Sequence, residues 1–177
     1  MIIYNIGLPR TGTKSIAQIV RKYGFICKHP NITGAYNFEY EFLKNNINIW
    51  KADDRIYSNT PIWHPEFWKL LNIENHKIIY TYRDKYSWIN SFINYPYFNK
   101  RKLLKRDKYW FESYFKNFNF QNLSDVYDKH LNAVKTLKNV LYIDIIKEDN
   151  IDITKKICKY LNIDFNEFLI IQNEDKK

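Results

Sequence analysis

Two glycines, Gly7 and Gly12, bound a short turn that carries Arg10 and Thr11 and opens onto Thr13, Lys14 and Ser15. Basic and hydroxyl side chains this close to a glycine turn suit the binding of a tetrahedral oxyanion. The N–H groups of such a turn converge on one point, and a following helix adds the positive end of its dipole. A second group lies midway along the chain: Arg83, then Asp84, with Ser91 eight residues after the arginine. An arginine fork and a hydroxyl can share the oxygens of a second phosphate. Each feature also has an ordinary reading, as a strand-to-helix connection, a surface ion pair or a solvated serine. Their order and combination favour phosphate chemistry.

These side chains need elements to position them. Residues 2–6 read as a buried strand and 13–23 as a helix with Ile16, Ile19 and Val20 on its apolar face. Residues 77–82 read as a strand that ends just before Arg83, and residues 86–93 as the helix bearing Ser91. Further strands are expected at 25–28, 47–52 and 140–143, and further helices at 35–45, 65–71, 103–118, 123–138 and 153–161. Alternation of this kind predicts an α/β fold, a parallel sheet covered by helices on both faces. Ligands of such sheets bind beyond the carboxyl ends of the strands, where Arg10 and Arg83 both fall in sequence.

A nucleoside triphosphatase loop places Lys directly after its second glycine, followed by Ser or Thr. Here Thr13 takes that place and Lys14 comes one residue late, a rotation of about 100° on a helix. Pro9-Arg10-Thr11-Gly12-Thr13 instead resembles the 5'-phosphosulfate loop of sulfotransferases, and Arg83 with Ser91 resembles their 3'-phosphate signature. Within that family the chain is most similar to a subgroup with a Gly-Arg-Thr-Gly-Thr-Lys-Ser type loop, through Arg10 to Ser15, Arg83-Asp84, Trp88 and Ser91. The stretch 127–134 and the closing strand and helix fit more loosely. The resemblance covers nearly the whole chain and implies one sulfotransferase-like domain over residues 1–177, with a P-loop-type parallel sheet flanked by helices.

That resemblance implies an enzyme that moves a sulfuryl group from 3'-phosphoadenosine 5'-phosphosulfate (PAPS) to a hydroxyl or amine acceptor, leaving 3',5'-adenosine bisphosphate (PAP), with no metal. Arg10, Thr11, Gly12, Thr13, Lys14, Ser15, Arg83 and Ser91 would bind the donor, and Arg10 would also steady the leaving oxygen. Related enzymes carry a His or Asp as base shortly before a Pro ahead of the arginine strand. In this chain that place holds Asn59, in Tyr57-Ser58-Asn59-Thr60-Pro61, and an amide cannot take a proton at neutral pH. Asp53, Asp54 and His64 are the neighbouring alternatives. Two other readings stay open: a small-molecule or nucleoside kinase, with Asp84 or Asp144 on magnesium, and a catalytically weak nucleotide-binding relative.

Charge and composition narrow the partners. The chain carries 28 basic and 19 acidic residues, a net charge of +9, which favours an anionic ligand or an acidic acceptor. Its densest basic run holds Lys100, Arg101, Lys102, Lys105, Arg106 and Lys108 ahead of aromatics, a pattern that suits a solvated helix face, a cleft rim or nucleic acid. Small-molecule, carbohydrate or peptide acceptors are expected in preference to nucleic acid. At 177 residues the chain suits one substantial core. No apolar run approaches membrane-spanning length and no secretory leader is legible, so a soluble, cytoplasmic protein is expected. Cys27 and Cys158 lack ligand spacing and read as buried thiols.

Overall fold

The computed structural model describes residues 1–28, 55–58, 62–63, 65, 68–69, 71–94, 120–167 and 169. They fall into two compact units, Met1–Tyr82 with Lys138–Lys177, and Arg83–Leu137. The first unit is built on a five-stranded, wholly parallel sheet of β1 (Ile2–Asn5), β2 (Ile26–Lys28), β3 (Arg55–Ser58), β4 (Lys77–Tyr82) and β5 (Val140–Asp144). The strand order is β2-β3-β1-β4-β5. The helices are α1 (Thr13–Lys22), α2 (Lys85–Ile93), α3 (Phe120–Lys135) and α4 (Asn150–Leu161); α1 and α4 belong to the first unit, α2 and α3 to the second. The expected α/β fold with a parallel sheet is the fold found.

Strand alternation gives the sheet two chemically different faces. Ile3 pairs with Ile56, and along β4 and β5 Ile79 and Ile143 point the same way. This isoleucine face packs against Ile16, Ala17 and Val20 of α1 and Ile153, Ile157 and Leu161 of α4. Full burial of side chains of this size stabilises by about 1.5–3 kcal/mol each, which holds together strands of only three to six residues. The opposite face is aromatic: Tyr4 stacks on Tyr57 with centroids 5.7 Å apart, and Tyr80 on Tyr82 at 5.6 Å.

The helices of the first unit end where local chemistry dictates. Arg21 and Lys22 complement the negative end of the α1 dipole, and the chain then turns through Gly24 at φ +88°, whose N–H donates to the Arg21 carbonyl at 3.1 Å. A Cβ on Gly24 would meet nothing within 4 Å, so the backbone angle is the whole penalty. Gly24→Ala is therefore expected to destabilise by about 1 kcal/mol, read from urea denaturation. Helix α4 begins three residues before the expected start because the Asp149 carboxylate accepts from the Asp152 N–H at 2.8 Å.

In the second unit α2 packs on α3. Trp88, fully buried, lies 5.3 Å from Phe92 and 5.6 Å from Tyr127, centroid to centroid. Lys85 reaches Asp128 at 2.6 Å. The clearest departure from expectation is β3. The sequence pattern places a strand at 47–52, outside the described residues, and none at 55–58. Arg55–Ser58 offers only Ile56 and Tyr57 as apolar residues, too short a run for its periodicity to show. The helices expected at 35–45 and 103–118 also lie outside the described residues, as does part of 65–71.

Candidate functional site

Strand β1 is the centre of the sheet, with β3 on one side and β4 on the other. From β1 the chain builds one half of the sheet, β2 and β3, before crossing to β4 and β5. Such a reversal opens a crevice at the carboxyl end of the central strand. The loop of residues 7–12 leaves β1 at that point and enters α1.

Two glycines shape the loop. A Cβ on Gly7 would lie 2.0 Å from the Thr81 hydroxyl oxygen and 2.6 Å from both the Thr81 carbonyl and the Thr11 hydroxyl, so the backbone here lies directly against the end of β4. Gly12 has φ +78°, and its Cβ would come within 3.0 Å of the Ile145 side chain. Between them Arg10 takes φ +72°, a left-handed conformation that costs a non-glycine residue about 1–2 kcal/mol. Its side chain is exposed.

Beneath the loop is a buried polar layer. The Asn5 side-chain oxygen accepts from the Gly7 N–H at 3.3 Å and from the Thr81 hydroxyl at 3.1 Å. The Thr81 and Thr11 hydroxyls are 3.1 Å apart, and Thr11 donates to the Leu8 carbonyl at 2.6 Å. The Ser58 hydroxyl donates to the Thr13 carbonyl at 3.0 Å, fixing the first residue of α1 to the end of β3. Asn5, Thr11, Thr13, Ser58 and Thr81 are all buried, and in the sheet Asn5 pairs with Ser58. Sequence reasoning missed Asn5, Ser58 and Thr81. The signal was present as one polar residue at or near the carboxyl end of three otherwise largely apolar strands.

Helix α1 starts without a side-chain cap: its N-cap is Gly12 and its first turn has no acidic residue. The N–H groups of Thr13, Lys14 and Ser15 have no acceptor within the helix. With the dipole they favour an anion by about 0.3–2 kcal/mol, depending on burial. The exposed side chains of Lys14 and Ser15 lie on this same first turn. The arrangement can hold a phosphate or sulfate group by its oxygens, with Arg10 and Lys14 supplying formal charge.

Arg83 is half-buried and its carbonyl accepts from the Tyr127 hydroxyl at 2.7 Å. Asp84 caps α2, accepting from the Ser87 N–H at 2.9 Å. Hydrogen bonds from the Ser87 hydroxyl and N–H hold its carboxyl below the ordinary range. Ser91 is partly buried on α2, and Trp88 is a packing residue. Asp144 accepts from the N–H groups of Ile146 and Lys147 at 3.1 and 3.3 Å, closing the turn that brings Ile145 against Gly12. Both acidic residues raised for magnesium thus have backbone work.

Asp53, Asp54, Asn59 and His64 lie outside the described residues, as does the basic run from Lys100 to Lys108. Strand β3 ends at Ser58, the residue before Asn59 in the chain. Cys27 and Cys158 are buried and unbridged, and burial raises the Cys158 thiol above its ordinary range. Among the described residues no group of three or more His, Cys, Asp or Glu is arranged to hold a metal, and no helix is long and apolar enough to cross a membrane. No protein-family model matches the chain, and no curated protein matches it.

Proposed function

We propose that this protein is a sulfotransferase that moves a sulfuryl group from PAPS to a hydroxyl or amine acceptor. The observation that carries the reading is the glycine-bounded loop at the centre of the sheet, entering an uncapped basic helix start with Arg10 held in a left-handed conformation. The displaced Lys14 favours a phosphosulfate over the terminal phosphates of ATP, and the commitment of Asp84 and Asp144 to backbone N–H groups weighs against a magnesium-dependent kinase.

In this reading the N–H groups of Thr13, Lys14 and Ser15 receive the 5'-phosphate, with Thr11, Thr13 and Ser15 supplying hydroxyls, and the sequence resemblance alone assigns the 3'-phosphate to Arg83 and Ser91. PAPS supplies an activated sulfur–oxygen bond. The acceptor oxygen or nitrogen forms a bond to sulfur as the bond from sulfur to the bridging oxygen breaks, and the acceptor proton passes to a base. Arg10 would meet the charge growing on that bridging oxygen. Asp54 and His64 are the candidate bases, with Asp53 beside them. Asn59 favours a second reading, a nucleotide binder that has lost transfer.

Thermal shift separates the readings: selective stabilisation by PAP supports a sulfotransferase, and selective stabilisation by ATP with magnesium supports a kinase. Binding of PAP without sulfate transfer to a broad acceptor panel supports the second reading. Arg83→Ala is expected to weaken PAP binding by roughly 1.5–3 kcal/mol in calorimetric titration, the scale of a charge-assisted hydrogen bond. Unchanged affinity would remove Arg83 from the donor site.

A further inference from the structure

We propose that Asn5 and Thr81 are positioning residues that lock the anion loop onto the end of β4 before any ligand arrives. This inference deepens the functional reading above, though its structural half stands without it.

Thr11 and Thr81 have one hydroxyl proton each, but three acceptors surround them: the Leu8 carbonyl, the Asn5 side-chain oxygen and the other hydroxyl. The 2.6 Å contact to Leu8 takes the Thr11 proton. The single Thr81 proton is then left for two acceptors 3.1 Å away, the Asn5 oxygen and the Thr11 hydroxyl, and makes a full bond to only one of them at a time. The same Asn5 oxygen holds the Gly7 N–H. Meanwhile Asn5 Nδ2 is buried and, among the described residues, has no hydrogen-bond partner.

The orphaned Asn5 amide donor weakens the fold; an apolar side chain of similar size would remove it but would take away the oxygen that accepts from the Gly7 N–H and the Thr81 hydroxyl. The side chain is thus used through its oxygen, while its amide donor goes unused. What it supplies is geometry. It holds the loop where Gly7 lies against Thr81, which fixes the path of the chain from β1 into the first turn of α1. Preorganisation of this kind removes an ordering cost from binding.

The test is amide hydrogen exchange on the ligand-free protein, followed by titration with PAP. In Asn5→Ala and in the near-isosteric Thr81→Val, the Gly7 and Thr11 amides are expected to exchange about tenfold faster or more, with Ile79 and Ile145 amides little changed. Thr81→Ser, which keeps the hydroxyl, should restore the parental rates. PAP affinity should fall about tenfold in the same two variants, and the double variant should bind no worse than the weaker single, as expected for two parts of one device. Parental exchange at Gly7 and Thr11 in Thr81→Val, or equal acceleration across the sheet, would overturn the proposal whether or not Asn5→Ala folds. If the parent protein does not bind PAP, the sulfotransferase reading falls, and the exchange measurement still decides the positioning role.

Discussion

Arg10→Gly is expected to stabilise the protein by about 1 kcal/mol while slowing sulfuryl transfer by roughly a hundredfold to a thousandfold. The two effects have separate causes at one residue. Arg10 sits at φ +72°, where a Cβ meets its own backbone and glycine does not. Replacing it relieves that strain, offset in part by the greater freedom of glycine in the unfolded chain. The cost falls on the chemistry, because the guanidinium is the group assigned to the departing bridging oxygen, and loss of one such preorganised donor typically costs about 3–4 kcal/mol of transition-state stabilisation. Glycine is the informative substitution, since alanine would keep the strain. The checks are a urea melt and single-turnover transfer of labelled sulfate, and PAP affinity should change less than the rate. Destabilisation together with unaltered turnover would contradict both assignments.

Gly7→Ala is expected to be the most damaging alanine substitution at the described glycines, costing about 3 kcal/mol or more. No rotamer change clears the way. One of the three atoms within 2.6 Å of the added Cβ is the Thr81 backbone carbonyl, and the two hydroxyls are tied into the layer with Asn5 and Leu8. The structure must open between β1 and β4, where Ile6 N–H also donates to the Ile79 carbonyl at 2.9 Å. A fall in melting temperature and loss of PAP binding together are the expected outcome. A variant that melts like the parent would mean that the loop does not run against β4 as described.

The contrast with Gly24→Ala shows what could be read in advance. Gly7 stands between Ile6 and Leu8 and Gly24 between Tyr23 and Phe25, so the two look alike in sequence. Gly24 has open space around it and needs only its backbone angle, whereas Gly7 is required by a strand 74 positions later in the chain, as Thr81 is the contacting residue. A near-neighbour pattern signals the first kind and not the second. For the same reason β1, the loop and α1 were legible: the apolar run 2–6, the glycine spacing and the apolar period of Ile16, Ile19 and Val20 are all local. Strand β4 was legible because KIIYTY is a long β-rich run. Strand β3 was not, since its four residues form a strand only through pairing with both β1 and β2.

The candidate site divides along the same line. Arg10, Thr11, Thr13, Lys14 and Ser15 were visible as charge and hydroxyl density around glycines, and they form one continuous loop and helix start. Asn5, Ser58 and Thr81 support that loop from three different strands, and each looks unremarkable alone. Asp84 and Asp144 show the converse. As acids after strands they were available to a rival magnesium-dependent reading, while their hydrogen bonds are those of a helix cap and a turn.

A crystal structure of the protein with PAP bears most directly on the central claim. The 5'-phosphate oxygens are expected within hydrogen-bond distance of the Thr13, Lys14 and Ser15 N–H groups, at the start of α1. A well-ordered nucleotide whose phosphates avoid that turn altogether would contradict it.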